Sequence, residues 1–108
     1  MIDRKGDNRM MQPIGIATND RIRFETIIDE MADTFTQKNA MYGNSFEDLL
    51  NKLGPISGVA QIVHKTNRLV SLANGTKNDA ESMRDTLLDL ANYCVMQAMW
   101  MDKESGDK

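Results

Sequence analysis

Glu81, Asp85 and Asp89 recur in steps of four within ESMRDTLLDLANYC, residues 81–94. Because an α-helix has about 3.6 residues per turn, this spacing places the three carboxylates along one side of a helix. Their line continues through Asn92 into the apolar stretch VMQAMWM. Like charges one turn apart repel each other, and burial increases that cost, so we expect something to compensate them. Mg²⁺, which prefers carboxylate oxygens, is one candidate, and cationic side chains are the other.

The predicted helix that contains HKTNRLVSL, residues 64–72, has basic residues on its polar side. Lys65 and Arg68 lie on that side, away from the apolar residues of the same helix. Basic side chains beside a carboxylate-held cation suit a di- or triphosphate, because they bind its oxygens and arginine can bind two at once. Alternatively, Lys65 and Arg68 pair with Asp85 and Asp89 in an interhelical network of salt bridges. The sequence leaves both interpretations open.

A polar turn within KNAMYGNSF, residues 38–46, is a further candidate. Such a turn needs Gly43 for a positive φ and Ser45 to begin the next helix, which is a purely structural explanation. Tyr42 beside free helix N–H groups can also stack on a base or help bind a phosphate. The sequence contains no glycine-rich phosphate loop, zinc-binding cysteine–histidine pattern or nucleophile–base motif.

Length and composition limit the possible classes of protein. The 108 residues suffice for one domain, and the net charge of −3 argues against duplex nucleic acid as a partner. The single cysteine, Cys94, cannot form a disulfide within the chain, which favours a reducing compartment. Residues 1–13 lack the apolar stretch of a signal peptide, and no apolar run is long enough for a membrane span. We therefore expect a cytoplasmic protein without a membrane partner.

The periodicity predicts an all-α fold, a small bundle of three longer helices and one short helix. We divide the chain into a polar N-terminal arm at 1–17, an all-α nucleotide-binding domain at 18–101 and a solvated tail at 102–108. Residue types that begin or end helices set the predicted bounds. The first helix follows Thr18-Asn19-Asp20 and ends at Gly43, and the second begins at Ser45, with Asp48 as its capping-box partner, and ends at Gly54. The third helix has Pro55 in its first turn and ends at Asn74-Gly75. The fourth helix is capped by Asn78 or Asp79 and reaches about Met101.

Apolar residues predict the buried faces. On the first helix, Phe24, Ile28, Met31 and Phe35 recur at helical spacing with Ile27 beside them, and we expect them to be buried. The acids on the other side, Glu25, Asp29 and Asp33, are expected in solvent. The last helix is apolar almost all round near its end, and three other helices can hardly cover it. We therefore predict a homo-oligomer with this helix near the interface. The alternative is a partly exposed, frayed helix end.

Three separated segments resemble a known family. KNAMYGNSF, HKTNRLVSL and ESMRDTLLDLANYC resemble, in this order, the nucleotide modification associated domain 1 family, small proteins frequent in phages and mobile elements. The likeness runs over about residues 30–100. The family's pattern has a lysine before Tyr-Gly-x-Ser, then Lys-x-x-Arg-Leu, then a long acidic motif. These positions are occupied here by Lys38, Tyr42, Gly43 and Ser45, by Lys65, Arg68 and Leu69, and by residues 81–93. The resemblance implies a function connected with nucleotides and, if a phage encodes the protein, a location in the host-cell cytoplasm.

A more distant resemblance is to the all-α NTP pyrophosphatases of the MazG-like type, which hold Mg²⁺ with acids on two helices. This chain departs from that pattern, because its acids are spaced by four rather than three and no second acidic pair lies on a buried face. Three functions remain as hypotheses. They are a nucleotide-binding protein that cleaves a nucleoside di- or triphosphate with Mg²⁺, a phage-type protein that sequesters nucleotide immune signals without cleavage, and a helical interaction module without a ligand.

The first two hypotheses share a set of site residues. The predicted metal ligands are Glu81, Asp85 and Asp89, for Mg²⁺. The predicted contacts with the nucleotide and its phosphates are Lys38, Tyr42, Lys65, Arg68 and Asn92. We expect Cys94 to be too buried to act as a nucleophile, and no catalytic residue is assigned.

Overall fold

Four α-helices form the described part of the protein. The computed structural model describes residues 16–75 and 80–106, without the side chains of residues 16, 17, 42, 80 and 81. In chain order the helices are α1 (Ile16–Tyr42), α2 (Ser45–Leu53), α3 (Pro55–Asn74) and α4 (Ala80–Glu104). No strand occurs in the described ranges. The predicted all-α fold, with three longer helices and one short one, is confirmed.

Helices α2, α3 and α4 pack against one another, and α3 and α4 form the largest helix pair. The chain divides into two compact units, one up to Asp33 and one from Thr34 onward. The centre of the second unit contains Leu50, which is 1% exposed, together with Phe46 and two buried polar residues, Thr86 and Gln97. The amphipathic helix α2 therefore points its apolar residues at the α3–α4 pair.

Two glycines end helices as predicted. Gly43 has φ of 73° and donates its N–H to the carbonyl of Asn39, which closes the last turn of α1. Gly54 has φ of 84° and donates to the carbonyl of Leu50 at the end of α2. Glycine adopts these left-handed backbone conformations without the Cβ clash of other residues. Pro55 then occupies the first turn of α3, where its missing N–H leaves no hydrogen bond unmade.

Other predicted helix ends are displaced. The N-cap of α2 is Asn44, whose side chain accepts the N–H of Glu47, so the predicted Ser45 and Asp48 pair is wrong by one residue. Helix α1 begins at Ile16 and continues through the predicted cap at 18–20. Helix α4 continues past Met101 to Glu104. Its predicted caps, residues 78 and 79, lie outside the described residues.

The predicted buried faces are only partly correct. Met31 is buried and Phe35 half-buried, but Phe24 is 69% and Ile28 44% exposed, and Ile27 is exposed as well. The acidic side of α1 is exposed as predicted. α2 and α3 cover one side of α4, and apolar residues remain exposed on the other side, so the helix is not buried all round within one chain. Cys94, which we expected to be buried, is exposed on this helix. A helical repeat reveals that a face is apolar without revealing what covers it. None of the described helices combines the length and apolar composition of a membrane span.

Candidate functional site

A pocket of about 190 Å³ opens in the second unit, between the end of α1, the start of α2 and the middle of α4. We call it the Asp89 pocket. Its polar lining comes from lysine, aspartate, amide and hydroxyl side chains, and its apolar lining is largely aromatic. The lining residues are Thr34, Phe35, Lys38, Asn39, Gly43, Asn44, Ser45, Phe46, Leu49, Gln61, Asp89, Asn92, Tyr93 and Met96.

Asp89 joins three helices at this pocket. Its Oδ1 lies 3.6 Å from Nζ of Lys38 on α1, and its Oδ2 accepts a hydrogen bond of 3.2 Å from Nζ of Lys65 on α3. The Asp89 side chain is 29% exposed and that of Lys65 20%, whereas Lys38 is 58% exposed. A half-buried carboxylate with an ammonium group at each oxygen is compensated, because its negative charge is paired with positive charges. The predicted salt bridge between Lys65 and Asp89 is therefore present.

Arg68 makes a different contact on the same two helices. Its Nε donates a 3.2 Å hydrogen bond to Oγ1 of Thr86 on α4. Thr86 in turn donates its hydroxyl to the carbonyl of Ser82, at 2.7 Å. Thr86 is buried, so these bonds satisfy a hydroxyl that water cannot reach. In this position Arg68 links α3 to α4 and does not line the Asp89 pocket.

Aromatic rings form one wall of the pocket. Phe46 of α2 stacks on Tyr93 of α4, with ring centroids 5.1 Å apart and planes at 8°. Nζ of Lys65 lies 6.0 Å from the centroid of the Tyr93 ring, at the outer limit of a cation–π contact. Tyr93 therefore packs between the α2 core and the cations that surround Asp89. This packing fixes the position of the α4 turn from which both Asp89 and Tyr93 project.

The structure brings together some of the predicted site residues and separates others. Lys38, Asp89 and Asn92 line one pocket, and Lys65 adjoins it through Asp89. Asp85 is exposed and does not line the pocket, and neither does Arg68. The side chains of the other two predicted residues, at positions 42 and 81, lie outside the described part of the chain.

The predicted Mg²⁺ site remains a prediction. Among the described side chains, no three carboxylate, histidine or cysteine ligands gather around one point. Asp89 directs its two oxygens to lysines, and Asp85 lies one turn away in solvent. The third predicted ligand, at position 81, is among the side chains that the structure does not describe. Among the described side chains, the oxygens of Asp89 therefore bind ammonium groups and are not part of a three-carboxylate metal centre.

One known family matches the region of the chain that contains most of this pocket. The model of the family described as nucleotide modification associated domain 1 matches residues 38–101, more than half of the chain. The chain belongs to this family. The match begins at Lys38 and ends near the last turns of α4, so it includes every lining residue of the Asp89 pocket except Thr34 and Phe35. No curated protein and no solved structure matches the chain significantly.

The family match does not test the more distant likeness to the MazG-like pyrophosphatases, which stays a prediction.

Some lining residues of the pocket were not predicted from the sequence. Asn39 and Phe46 are inside the KNAMYGNSF segment, and Tyr93 is inside the last motif, so the family segments already contained them. Their roles were not apparent because their neighbours come from other helices.

Proposed function

We propose that this protein binds a nucleotide in the Asp89 pocket. The observation that supports the proposal most is the convergence of Lys38, Asp89 and Asn92 on one pocket with an aromatic wall. These residues come from two segments some 50 positions apart, both inside the region that matches the nucleotide modification associated domain 1 family. Amphipathic pockets with a few convergent polar groups are the usual sites of small-molecule binding.

The charges suit a phosphate group. Lys38 and Lys65 contribute two positive charges beside the single negative charge of Asp89, which leaves the cluster net positive. Lys38 is more than half exposed, so it can turn its ammonium group toward a ligand while Lys65 keeps its bond to Asp89. Lysine binds phosphate oxygens as a point charge and needs no fixed fork geometry. In this proposal Asp89 holds the two ammonium groups in position.

The size and lining of the pocket suit a base rather than a whole nucleotide. Its volume of about 190 Å³ is below the roughly 300–1,000 Å³ of pockets that enclose complete small ligands. Aromatic and apolar side chains offer a flat surface for a base, while the amides of Asn39, Gln61 and Asn92 can hydrogen-bond with its edge. The base then lies inside, and the phosphates extend outward to Lys38.

Binding without cleavage is the version that the contacts of Asp89 favour. Its oxygens are paired with ammonium groups, which compete with any cation for the same oxygens. Sequestration of a nucleotide requires only affinity. Cleavage of a nucleoside di- or triphosphate with Mg²⁺ remains the second hypothesis, and an interaction module without a ligand is the third.

A nucleotide panel tests these hypotheses in one experiment. The full chain is incubated with linear and cyclic nucleotides, with and without Mg²⁺, and the melting temperature and the recovered products are measured in the same samples. Lys38→Ala should weaken binding about tenfold or more, the loss of one charge-assisted contact. Lys52→Ala is the matched control, because Lys52 is an exposed lysine of α2 that does not line the pocket.

The outcomes separate the three hypotheses. A stabilising nucleotide that is recovered intact, and that Lys38→Ala no longer binds, supports sequestration. A stabilising nucleotide that is recovered cleaved only with Mg²⁺ supports the pyrophosphohydrolase. No shift with any nucleotide, or equal losses in the Lys38 and Lys52 variants, would contradict binding in the Asp89 pocket.

A further inference from the structure

Apolar side chains remain exposed along both helices of the α3–α4 pair. On α3 they are Val59, Val63 and Val70, and on α4 they are Leu87, Val95 and Met101, each between 43% and 56% exposed. Single exposed apolar residues are common on soluble proteins, but a continuous patch of more than roughly a few hundred Å² usually marks an interaction site. Whether these side chains form one patch depends on which faces of α3 and α4 they occupy.

Helical geometry places the exposed residues of α4 on one face. α2 contacts α4 through Phe46 on Tyr93 and through Asn51, whose side chain accepts the indole N–H of Trp100. At about 100° per residue, Cys94 projects roughly 100° away from Tyr93, and Leu87 and Met101 follow it at intervals of seven residues. The exposed row of α4 thus lies away from α2.

An exposed apolar residue of α3 lies on the same side of the helix pair. Lys65 and Gly58 of α3 face α4, through the bond with Asp89 and the close approach of Gln97. At about 100° per residue, Val59 is turned about 120° from Lys65, in the direction opposite to Gln61, which lines the Asp89 pocket. Val63, about 160° from Lys65, points away from α4. The α3–α4 pair is therefore a two-helix layer with α2 and the Asp89 pocket on one side and an exposed apolar face on the other. We call the latter the apolar face.

The spacing on α4 is that of a helix–helix seam. Leu87, Ala91, Cys94, Ala98 and Met101 follow one another in steps of four and three, the repeat that faces a partner helix in coiled coils. The row is also symmetric about Cys94, with small residues on either side and larger residues at both ends. A second α4 in antiparallel orientation would place Leu87 against Met101 and Ala91 against Ala98. The small residues let the two backbones approach closely.

The charges at the edge of the apolar face have the same symmetry. Arg84 and Asp102 are both exposed and stand 18 residues apart, which is five turns of helix, so they lie on one edge. An antiparallel copy centred near Cys94 would bring each Arg84 within about two residues, or roughly 3 Å along the helix axis, of the level of Asp102 of the partner subunit. Between these ends the exposed row of α4 has no charged residue. A self-complementary surface of this kind suits a twofold dimer, because the same patch serves both partners.

We propose that two copies of this chain pack through the apolar face, with α4 antiparallel to α4 and Cys94 beside the twofold axis. The four helices α3 and α4 of both copies then form one bundle, and both Asp89 pockets stay open on its outer sides. This dimer goes beyond the proposed nucleotide binding and does not depend on it. The assembly covers the apolar side chains that a single chain leaves in water.

Cysteine cross-linking tests the orientation. Mild oxidation with diamide, which takes up the two thiol hydrogens as the disulfide forms, should convert the full chain to a covalent dimer through Cys94. Cys94→Ser should remain uncross-linked. In the Cys94→Ser background, a mixture of Ala91→Cys chains with Ala98→Cys chains should restore the covalent dimer, whereas a parallel pair would cross-link each variant with itself. Lys52→Cys on the α2 side is the matched control and should not cross-link.

Sedimentation equilibrium tests the association itself. The wild-type chain should be a dimer at micromolar concentration, and Leu87→Asp, in the exposed row of α4, should weaken its association at least tenfold while far-UV circular dichroism remains helical. If Leu87→Asp does not fold, the cross-linking series with its small substitutions decides alone. A monomeric wild-type chain at all concentrations would overturn the proposal. So would a dimer whose Cys94 cross-links no faster than Lys52→Cys.

Discussion

Asp89 has a different environment from the other described acid of its line. Lys38 and Lys65 bind its two oxygens from two other helices, whereas Asp85, one turn earlier, is exposed. Regular spacing suggested one common role for these acids. The rotation of α4 against α1 and α3 gives Asp89 alone both lysine contacts, because only its turn of the helix lies at the junction of the three helices.

Asp89→Asn should lower the free energy of unfolding by about 1–2 kcal/mol. The amide keeps the size of the side chain but loses the charge that Lys65 needs in a half-buried position, and the more exposed contact with Lys38 adds little. The measurement is a urea titration followed by circular dichroism. Asp85→Asn is the matched control and should stay within about 0.5 kcal/mol of wild type. Equal losses in the two variants would instead indicate that the line of acids acts as a unit.

The helix elements end and begin according to local side-chain chemistry. Asn44 caps α2 by accepting the N–H of Glu47, and its amide also donates to the Glu47 carboxylate at 2.7 Å. Glu47 is further bound by Lys103 of α4 at 3.0 Å. The cap therefore fixes both the start of α2 and the rim of the Asp89 pocket, which Asn44 lines.

Asn44→Ala should destabilise the fold by about 1 kcal/mol, the usual effect of removing an N-cap acceptor. Ser45→Ala should change the free energy of unfolding by less than about 0.5 kcal/mol, because Ser45 is an exposed residue of the first turn. Thermal and urea unfolding of both variants measure the difference. If Ser45→Ala were the more damaging change, the cap would lie where the sequence first suggested it.

The packing of α3 on α4 depends on a close approach at Gly58. A Cβ at this position would overlap the amide of Gln97, whose Nε2 donates to the carbonyl of Pro55 at 3.2 Å. Gln97 Oε1 is buried and has no hydrogen-bond partner among the described residues. Gln97 thus fills the space that the missing side chain of Gly58 leaves.

Gly58→Ala should cost about 1–3 kcal/mol, because the buried amide of Gln97 must move aside and lose its hydrogen bond with the carbonyl of Pro55. In a Gln97→Ala background the same change should cost less than about 1 kcal/mol, since the overlapping amide is gone and alanine favours the helix. Comparison of the four proteins in a double-mutant cycle measures the coupling. Additive effects would show that Gly58 and Gln97 do not share this space.

At the scale of the whole molecule, few of the described apolar side chains are deeply buried within one chain. The described core of one chain contains Met31, Phe46 and Leu50, while many other large apolar residues are exposed. Conformational entropy opposes folding for every residue that becomes ordered, so a small core leaves little net stability. Association through the apolar face would add burial without any change in the chain.

The melting temperature should therefore rise with protein concentration. Each tenfold increase should raise it by about 3–5 °C, because a dimer of this size gains about 1.4 kcal/mol by mass action. Differential scanning calorimetry over a hundredfold range of concentration measures the slope. Leu87→Asp should melt at a temperature independent of concentration if it folds as a monomer. A wild-type chain without any slope would argue against the dimer.

The sequence by itself determined the four helices and several of their ends. Local geometry, which neighbouring positions specify, explains these features. It accounts for the helix ends at Gly43 and Gly54, the proline at the start of α3 and the periodic apolar residues. The segments that identify the family are likewise contiguous in the chain. For these reasons the all-α class and the family were predicted correctly, and three of the predicted site residues do line one pocket.

Only the tertiary structure decided which side chains meet. Asp89 rather than Asp85 contacts the lysines, Arg68 binds Thr86 and none of the described acids, and Phe46 stacks on Tyr93. The sequence shows that a helix has an apolar and a polar face. It does not show how far each helix is rotated about its axis against the others, and a difference of one residue turns a side chain by about 100°. That rotation, fixed by packing around Leu50 and Gln97, makes the pocket and leaves the apolar face exposed.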